Sequence, residues 1–445
     1  MPQSTSFRRR TVVPAATVVA LGAVTLTAAP AQAADYDVPC DPTALVKAVA
    51  TANASAAADT LSLAPNCVYT LTTAADTTWA SGLPAIEGKL TINGNHATIG
   101  RAKGAPQFRI ITNWGDLTLN AVTITGGHAP DGVGTNTYGE GNSGKSGGGI
   151  YNWGPLTITN SVITGNVAGS GAPGADATAT TQAGRGGLGG FGGGVSSYGS
   201  TLIPLTITDS LVTDNATGAG GRGGNGIGTT AGADGGSGGF GGGVEVIRGT
   251  VLRITGSTIT GNITAGGADG GSGGPNGGSS GDGGGGGSGA GVFMSTDQGR
   301  PLYPVITGTG ITGNQTGHGG DAGFAAPSGY TGWAGYGGRG GGLSVFYDTL
   351  TLDGGTVSGN VAGETGTGAF PSPANGGGIY TLSAQVTLTN GAAVSGNHPN
   401  NCYNVADVPG CVNNQPTTTQ RTNNTTVLNQ HLDDLTIALS ARSGR

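Results

Sequence analysis

Basic side chains and long apolar runs are scarce in this sequence. Its 445 residues include 18 Lys and Arg against 24 Asp and Glu. So few basic residues do not form the stripe that phosphate-rich partners require, and we do not expect nucleic acid as a partner. After residue 33, no segment approaches the roughly 18 consecutive apolar residues that span a bilayer. The sequence therefore predicts no transmembrane segment in that part of the chain.

The N-terminal segment has the features of a secretory signal peptide. An arginine run at 8–10 precedes a largely apolar stretch at 11–29, and the motif A-Q-A follows at 31–33. This order predicts removal of residues 1–33 on export, and a proline within the stretch disfavours a membrane anchor. Without those residues the chain has 15 basic and 24 acidic residues, a net charge of −9. We predict a secreted protein, extracellular or attached to the cell surface, with general secretion and twin-arginine export both open.

Cysteine is rare as well, with four residues in the whole chain. A metal site is not favoured, because C-x-x-C spacing and a nearby set of His ligands are lacking. An even number of Cys in an exported chain favours disulfides instead. The most economical pairing joins Cys40 to Cys67 and Cys402 to Cys411. No cofactor is predicted.

A short apolar motif recurs through most of the chain. Its clearest copy is V-I-T-G-N at 162–166. An apolar pair precedes it within 156–159, and a glycine cluster followed by an aliphatic residue lies earlier, at 147–150. One unit therefore contains three short apolar runs, each bounded by Gly or Asn. Further copies of the motif lie at 211–215, 258–262, 310–314, 356–360 and 393–397.

Three such runs per unit predict an all-β, coiled fold. In L-T-I-T at 156–159 apolar residues alternate with Thr, so that one face is buried and the other is hydrated. A right-handed parallel β-helix lets each strand pair with its counterpart one unit later, whereas a flat meander would leave long edges. Asp41 and Pro42 mark the start of a short capping helix. We predict a signal peptide at 1–33, an N-terminal cap at 34–60, the β-helix at 61–411, and a polar tail with a possible C-terminal cap at 412–445.

An Asn residue ends six of the units. Stacked coils would bring these side chains into a ladder in which each amide bonds to the next. Ordinary turn chemistry is a compatible explanation, since Asn tolerates left-handed backbone angles. The predicted ladder consists of Asn166, Asn215, Asn262, Asn314, Asn360 and Asn397.

Glycine-rich insertions of nearly equal length follow these Asn residues. Four successive insertions, 167–191, 216–240, 263–288 and 315–339, have 25 or 26 residues each. Random linkers tolerate changes of length at little cost, so equal lengths favour an ordered structure. We predict a second layer of extended, polyproline-like runs stacked on one side of the coil, with floppy loops as the alternative. Gly supplies 94 residues, but we find no period-three pattern of the collagen type.

The units carrying G-G-I-Y-N at 148–152 and the segment 161–166 resemble the repeats of the polymorphic outer-membrane-protein family, with its G-G-x-[IL] and F-x-x-N signatures. They are most similar to secreted bacterial right-handed β-helix proteins built from such coils. Those proteins often start with a C-S-L-R-E-A-type segment, from which Cys40 and the run 44–53 diverge. The resemblance implies a right-handed β-helix fold. The family that it points to includes surface adhesins. Pectin-degrading enzymes share that fold, which does not settle function.

Candidate catalytic and metal-binding residues are few. The chain lacks the N-T-D and R-I-K motifs of a polygalacturonase, but G-H-G at 317–319 makes His318 a weak catalytic candidate, with Asp321 as its local partner. Inverting hydrolysis needs two carboxylates about 6.5–9.5 Å apart, which no spacing here predicts. Two A-D-G-G-S segments make Asp234 and Asp269 weak candidates for a cation site, although turn roles are more usual.

Aromatic residues on or just after the first run of several units are candidates to stack on sugars, although packing between coils is more usual. We predict a monomeric, exported structural or adhesive scaffold that binds a polysaccharide or a cell surface. A carbohydrate-active enzyme, pectate lyase-like or polygalacturonase-like, is one alternative, and an ice or stress surface made of Thr and Gly arrays is another. The candidate binding residues are Tyr151, Trp153, Tyr198, Phe293 and Tyr380.

Overall fold

The computed structural model describes residues 33–295 and 302–413. The predicted signal peptide, up to residue 32, and the predicted tail from residue 414 onward lie outside the described residues. The chain is a parallel β-helix, because each strand pairs in parallel with its counterpart in the next coil. In the described residues the single helix is α1 (Pro42–Asn53), and no helix there has the length and apolar character needed to cross a bilayer.

The strands form three columns, one for each apolar run of the repeating unit. The first column contains β5 (Ile111–Asn113), β7 (Ile150–Asn152), β14 (Val292–Ser295), β17 (Leu343–Phe346), β20 (Ile379–Leu382) and the first halves of β10 (Val195–Thr208) and β12 (Val244–Thr255). The second contains β1 (Asp35–Val38), β2 (Ala58–Leu63), β8 (Leu156–Thr159), β15 (Val305–Thr307), β18 (Thr349–Asp353), β21 (Gln385–Thr389), the first halves of β4 (Lys89–Arg101) and β6 (Asp116–Thr125), and the second halves of β10 and β12.

The third column ends each unit and carries the V-I-T-type motif. It contains β3 (Val68–Leu71), β9 (Val162–Thr164), β11 (Leu211–Thr213), β13 (Thr258–Thr260), β16 (Gly310–Thr312), β19 (Thr356–Ser358), β22 (Ala393–Ser395) and the second halves of β4 and β6. The three runs per unit predicted from the sequence are thus confirmed.

Aliphatic residues stack in register through the centre of the coil. Ile163 pairs with Val212, Val212 with Ile259, and Ile259 with Ile311, and all four are buried. The residues on either side of them, such as Val162 and Thr164 or Thr258 and Thr260, are partly covered or exposed, which confirms the predicted strand phase. Burying one such side chain contributes roughly 1.5–3 kcal/mol, so this column carries much of the stability of the coil.

The Asn ladder is confirmed as a set of direct side-chain bonds. The Asn166 amide donates to Oδ1 of Asn215 at 3.0 Å, and the Asn166 backbone N–H donates to the same oxygen at 3.1 Å. The pattern repeats along the ladder through Asn397, whose amide donates to Asn401. Turn chemistry lies one residue earlier than expected, because the residue before each Asn has the positive φ, 62° at Gly165 and 63° at Gly261.

The glycine-rich insertions are ordered hairpins, each with an outgoing run and a returning run. Backbone hydrogen bonds between the two runs recur every third residue, which is the period of a polyproline II helix. In the insertion 167–191 these bonds join the N–H groups of residues 184, 187 and 190 to the carbonyls of 175, 172 and 169. The predicted stacked layer, called the glycine layer below, is therefore confirmed.

Hydrogen bonds also join neighbouring hairpins, with the same period of three residues. Gly186 donates to the carbonyl of Asp234 at 2.9 Å, and Gly221 donates to the carbonyl of Gly187 at 2.8 Å. A Cβ on Gly236 would lie against the Gly187 carbonyl at a distance that real Cβ atoms do not show. Glycine is required here because it lets the backbones approach this closely. The expectation that a period of three is absent is wrong within the insertions, where x-Gly-Gly triplets run through 185–193 and 234–242.

The first residue of each x-Gly-Gly triplet carries the side chain, and short polar side chains complete the bonding. The N–H of Asp282 donates to Oδ1 of Asp234 at 3.0 Å, and the N–H of Gly285 donates to Ser237 at 3.1 Å. Two backbone bonds and one side-chain bond thus satisfy the N–H groups of a triplet. Asp234 and Ser237 thus serve the backbone bonding of the layer.

A second apolar cluster joins the glycine layer to the outer face of the first strand column, at an interface called the seam below. Phe191 and Phe240 come from returning runs, and Phe293 and Phe346 come from β14 and β17. The rings of Phe191 and Phe240 stack with centroids 5.3 Å apart, and those of Phe240 and Phe293 are 4.9 Å apart. The returning runs therefore cover most of the first column.

The N-terminal cap follows the prediction, with additions. The Asp41 side chain accepts from the Thr43 N–H at 2.9 Å, and α1 buries Leu45 and Val49 against the first coil. The cap also contains β1, which was not predicted, and the predicted boundary at residue 60 falls inside β2. Disulfides join Cys40 to Cys67 and Cys402 to Cys411, which confirms the predicted pairing.

Candidate functional site

The seam opens into a cleft near the N-terminal end of the coil, with a volume of about 480 Å³. Trp79 and Trp114 precede the first glycine-rich insertion, so no returning run from their own coils covers them. The opposite wall comes from residues 143–146, at the end of a shorter glycine-rich insertion at 128–146, and from residues 188–191 on the returning run of the insertion 167–191. The residues used in the argument below are Trp79, Arg109, Trp114, Lys145, Tyr151 and Trp153.

The indole rings form a ladder along one wall of the cleft. The ring centroids of Trp79 and Trp114 are 4.8 Å apart, and those of Trp114 and Trp153 are 5.2 Å apart. The Trp153 ring continues to the Tyr198 ring at 4.1 Å. Strands in adjacent coils are about 4.8 Å apart, so the coil itself sets this spacing. Trp79, Trp114 and Trp153 are all partly exposed and present ring surface to the cleft.

Arg109 fixes the base of the cleft. Its side chain is buried, and its nitrogens donate to the carbonyls of Trp79, Ser146 and Gly147. Its guanidinium carbon lies 4.9 Å from the centroid of the Tyr151 ring, within the range of a cation–π contact. One cation therefore ties the Trp79 segment, the end of the insertion 128–146 and the first strand column together.

The charge of the cleft differs from that of the whole chain. Arg109 and Lys145 line it, and the lining residues within the described ranges include no Asp, Glu or His. The full sequence, by contrast, has a formal net charge of −6. The cleft therefore combines aromatic surface with positive charge.

Two of the five predicted binding residues lie at this site, and three do not. Tyr151 and Trp153 are half-buried in the cleft. Tyr198, Phe293 and Tyr380 are only 3%, 0% and 2% exposed. These three rings are not accessible to a ligand in the structure, because they are buried and pack in the seam.

The candidate catalytic pair is not assembled as a dyad. His318 and Asp321 are exposed on an outgoing run, three residues apart. An extended run rises about 3.1 Å per residue, which separates their backbones by roughly 9 Å. Oδ1 of Asp321 accepts the Thr367 N–H at 2.7 Å, so this carboxylate has a structural role in the layer.

The candidate metal ligands also serve the glycine layer. Asp234 accepts the Asp282 N–H and pairs with Arg185 at 3.2 Å, and Asp269 accepts the Asp321 N–H at 2.9 Å. Within residues 33–295 and 302–413, no group of three or more His, Cys, Asp or Glu is placed to hold a metal ion. The structure therefore assigns these carboxylates to backbone bonding.

Thr columns on the outer faces bear on the alternative of an ice or stress surface. Thr164, Thr213, Thr260 and Thr312 pair in register along the third column. In the second column Thr157 and Thr206 are followed by Arg253 and Val305. The second column also contains an in-register row of Thr159, Thr208, Thr255 and Thr307, so the interruption affects only one of its two outward-facing rows.

Trp79, Arg109, Trp114 and Lys145 are part of the cleft but were not among the predicted site residues. They lie outside the repeating motif, which does not indicate them. One signal was available in the sequence, since three of the four Trp residues fall between 79 and 153. A cluster of the rarest aromatic residue predicts a site more specifically than aromatic residues spread along every unit.

Comparisons of the chain with protein-family models, with curated proteins and with solved structures found no match. The resemblance to the polymorphic outer-membrane-protein repeats therefore stays a prediction from the motifs at 148–152 and 161–166.

Proposed function

We propose that this protein is an exported β-helix scaffold that binds a polysaccharide in the aromatic cleft. The observation that carries the proposal is the ladder of three partly exposed indole rings, with centroids 4.8 and 5.2 Å apart, in a cleft of about 480 Å³. Ligand sites are typically concave, lined by aromatic surface and provided with a few polar groups. The apolar faces of sugar rings suit flat aromatic side chains that also carry a polar N–H or O–H.

The cleft is rigid, which favours binding. Trp114 and Trp153 directly follow strands of the coil, and Arg109 links three segments through four polar or aromatic contacts. A site that is already in its binding geometry loses less conformational entropy when it takes up a ligand. An extended polymer would lie across successive coils and contact more than one ring.

Binding is better supported than hydrolysis. Glycoside hydrolysis ordinarily uses two carboxyl groups that flank the scissile bond. The lining residues of the cleft in the described chain include no carboxylate. A carbohydrate-active enzyme is therefore the second outcome of the test below, scored by new reducing or unsaturated ends.

Export is the other part of the proposal. The two disulfides are typical of an oxidising compartment outside the cytoplasm. The sequence of residues 1–33, with a basic, an apolar and a small-residue region, is typical of a signal peptide.

The test is binding of the exported protein to a panel of plant and microbial polysaccharides, measured by affinity electrophoresis and by quenching of Trp fluorescence. Trp114→Ala removes the central ring of the ladder, and we expect at least tenfold weaker binding, because a central aromatic anchor contributes roughly 2 kcal/mol. Trp333→Ala is the matched control, since Trp333 is exposed on the glycine layer and packs on Phe370 at 5.8 Å.

Equal affinities of the parent, Trp114→Ala and Trp333→Ala would exclude the cleft as the binding site. Binding of no member of the panel by the folded parent would count against the proposed function. Release of new chain ends from a bound polymer would show that the protein is a carbohydrate-active enzyme and not only a binding scaffold.

A further inference from the structure

Ala34, the residue that follows the A-Q-A motif, contacts a buried carboxylate. Its backbone N–H donates to Oδ1 of Asp59 at 2.9 Å, and its carbonyl accepts from the N–H of Thr60 at 2.9 Å. Ala33, one residue earlier, is exposed. Strand β1 begins at Asp35, the residue after Ala34, and pairs in parallel with β2. The bond to Asp59 therefore lies at the edge of the folded coil.

Asp59 has more acceptor capacity than its neighbours satisfy. It lies in β2 and is only 2% exposed. Its second oxygen, Oδ2, is buried and has no hydrogen-bond partner among the described residues. An ionised carboxylate can accept about four hydrogen bonds, and a buried charge without a partner of opposite charge is costly. A neutral amide on one oxygen does not compensate that charge.

We infer that cleavage of the Ala33–Ala34 bond creates an N-terminal ammonium that forms a buried ion pair with Asp59. In this step a signal endopeptidase adds water across the peptide bond, which leaves a carboxylate on Ala33 and an amine on Ala34. An α-amine has an ordinary pKa of about 7.7–8.0, so it takes up a proton at neutral pH. The nitrogen that now donates one hydrogen to Oδ1 then carries three hydrogens and a positive charge, with Oδ2 as a further acceptor.

The ion pair stabilises the cap only in the processed chain. Hydrogen bonds between ionised groups are about twice as strong as those between neutral groups. Through Ala34 the pair holds β1 against β2, and β1 covers the end of the second strand column. A chain that retains Ala33 carries its ammonium one residue farther away, up to about 3.6 Å, and presents only a neutral amide to Asp59. The ion pair therefore forms only when cleavage occurs at this one peptide bond, and a shift of one residue prevents it.

This inference rests on the proposed export but not on polysaccharide binding. Its first test is the intact mass of the protein collected outside a bacterial host that secretes the full chain. We expect a mature chain that begins at Ala34. A secreted chain with another N-terminus would overturn the inference and leave the proposed function standing.

The second test isolates the ion pair from the processing step. Two chains, one beginning at Ala34 and one at Ala33, are produced by a protease whose recognition segment lies entirely before the cut. They carry the same net charge and differ by one exposed residue. We expect a Tm several degrees higher for the Ala34 chain, and at least tenfold slower hydrogen exchange of the β1 amides.

Asp59→Asn in both chains completes a double-mutant cycle. Removing the carboxylate should abolish the difference between the two N-termini. The comparison of the unsubstituted chains remains decisive if the Asn variants do not fold. Equal Tm and equal hydrogen exchange of the β1 amides in the Ala33 and Ala34 chains would overturn the proposed ion pair. This holds even where the mass shows cleavage before Ala34.

Discussion

The coil and the glycine layer repeat with the same rhythm, but they bury different parts of the chain. In the coil, side chains such as Ile163, Val212 and Ile259 fill the interior and the backbone forms its edges. In the glycine layer the backbone itself fills the interior, and N–H groups such as those of Gly187 and Gly221 bond to neighbouring runs. The difference shows that a close-packed layer can be built without apolar side chains, provided that Cβ atoms are missing at the contacts.

The two regions should differ in local stability. A buried aliphatic side chain contributes roughly 1.5–3 kcal/mol. A backbone hydrogen bond contributes about 0.5–1.5 kcal/mol net, and ordering Gly costs more conformational entropy than ordering any other residue. The layer is tied to the coil by the aromatic seam. We therefore expect the layer to open locally before the coil unfolds.

The largest effect is expected from Ile259→Asp, which places a carboxylate in the aliphatic column of the coil. An uncompensated buried charge costs about 3–5 kcal/mol, so the midpoint of urea unfolding should fall sharply. Thr260→Asp is the matched control, because Thr260 is the next residue and lies on the outer face. Similar losses in the two variants would show that the strand phase is assigned incorrectly.

Asn262→Ala breaks the ladder at the corner of the coil and should cost about 2–4 kcal/mol. The substitution removes the oxygen that accepts both the backbone N–H and the amide of Asn215, and each buried donor left unpaired costs about 1–3 kcal/mol. Asn225→Ala in the glycine layer is the comparison, since Asn225 is partly exposed. We expect it to lower the free energy of unfolding by about 1 kcal/mol at most. A loss as large as that of Asn262→Ala would remove the distinction between the two regions.

Gly221→Ala tests close packing in the glycine layer. Its Cβ would lie against the Ala172 carbonyl, and overpacking of this kind costs about 1–3 kcal/mol. Hydrogen exchange should accelerate in the neighbouring runs 184–190 and 233–239, with the strands of the coil unchanged. Arg222→Ala, at the adjacent exposed position, should leave exchange as it is. Equal acceleration in the coil would mean that layer and coil open as one unit.

The smallest effect is a dependence of the layer on pH. Burial raises the pKa of Asp282 above its ordinary value of 3.8, and the Asp234 carboxylate also raises it, against the lowering effects of the Trp333 N–H and of Arg185. A carboxyl group whose pKa is raised on folding stabilises the folded state below its unfolded pKa, and this contribution is lost as pH rises through the folded pKa. Protection of the Trp333 N–H, corrected for intrinsic exchange, should therefore fall slightly between pH 4 and 7.

Asp282→Asn provides the control for that dependence. It keeps an oxygen to accept the Trp333 N–H, now 2.8 Å from the carboxylate, but cannot ionise. The pH dependence of the corrected protection should disappear in this variant. A parent whose protection rises with pH over the same interval would contradict the sign of the shift.

Local periodicity made much of the fold predictable. Apolar residues that alternate with Thr fix which face of each strand is buried, and equivalent Asn residues must meet once the coils stack in register. Asp41 and Pro42 were sufficient to place the start of α1, and the most economical pairing of the four Cys is the one found. Near-equal insertion lengths predicted the glycine layer. The x-Gly-Gly triplets at 185–193 also carry its period of three.

Three features were decided only by the tertiary structure. The returning runs fold over the first strand column, which buries Tyr198 and leaves Trp79 and Trp114 at an open cleft. Carboxylates such as Asp321 become acceptors for N–H groups about 46 residues away, and Ala34 meets Asp59 across 25 residues of sequence. The sequence alone determined each repeating contact, because a period specifies its own next member. It did not determine these three, because the direction in which an insertion folds, and the carboxylate that a distant N–H reaches, depend on packing between segments that share no period.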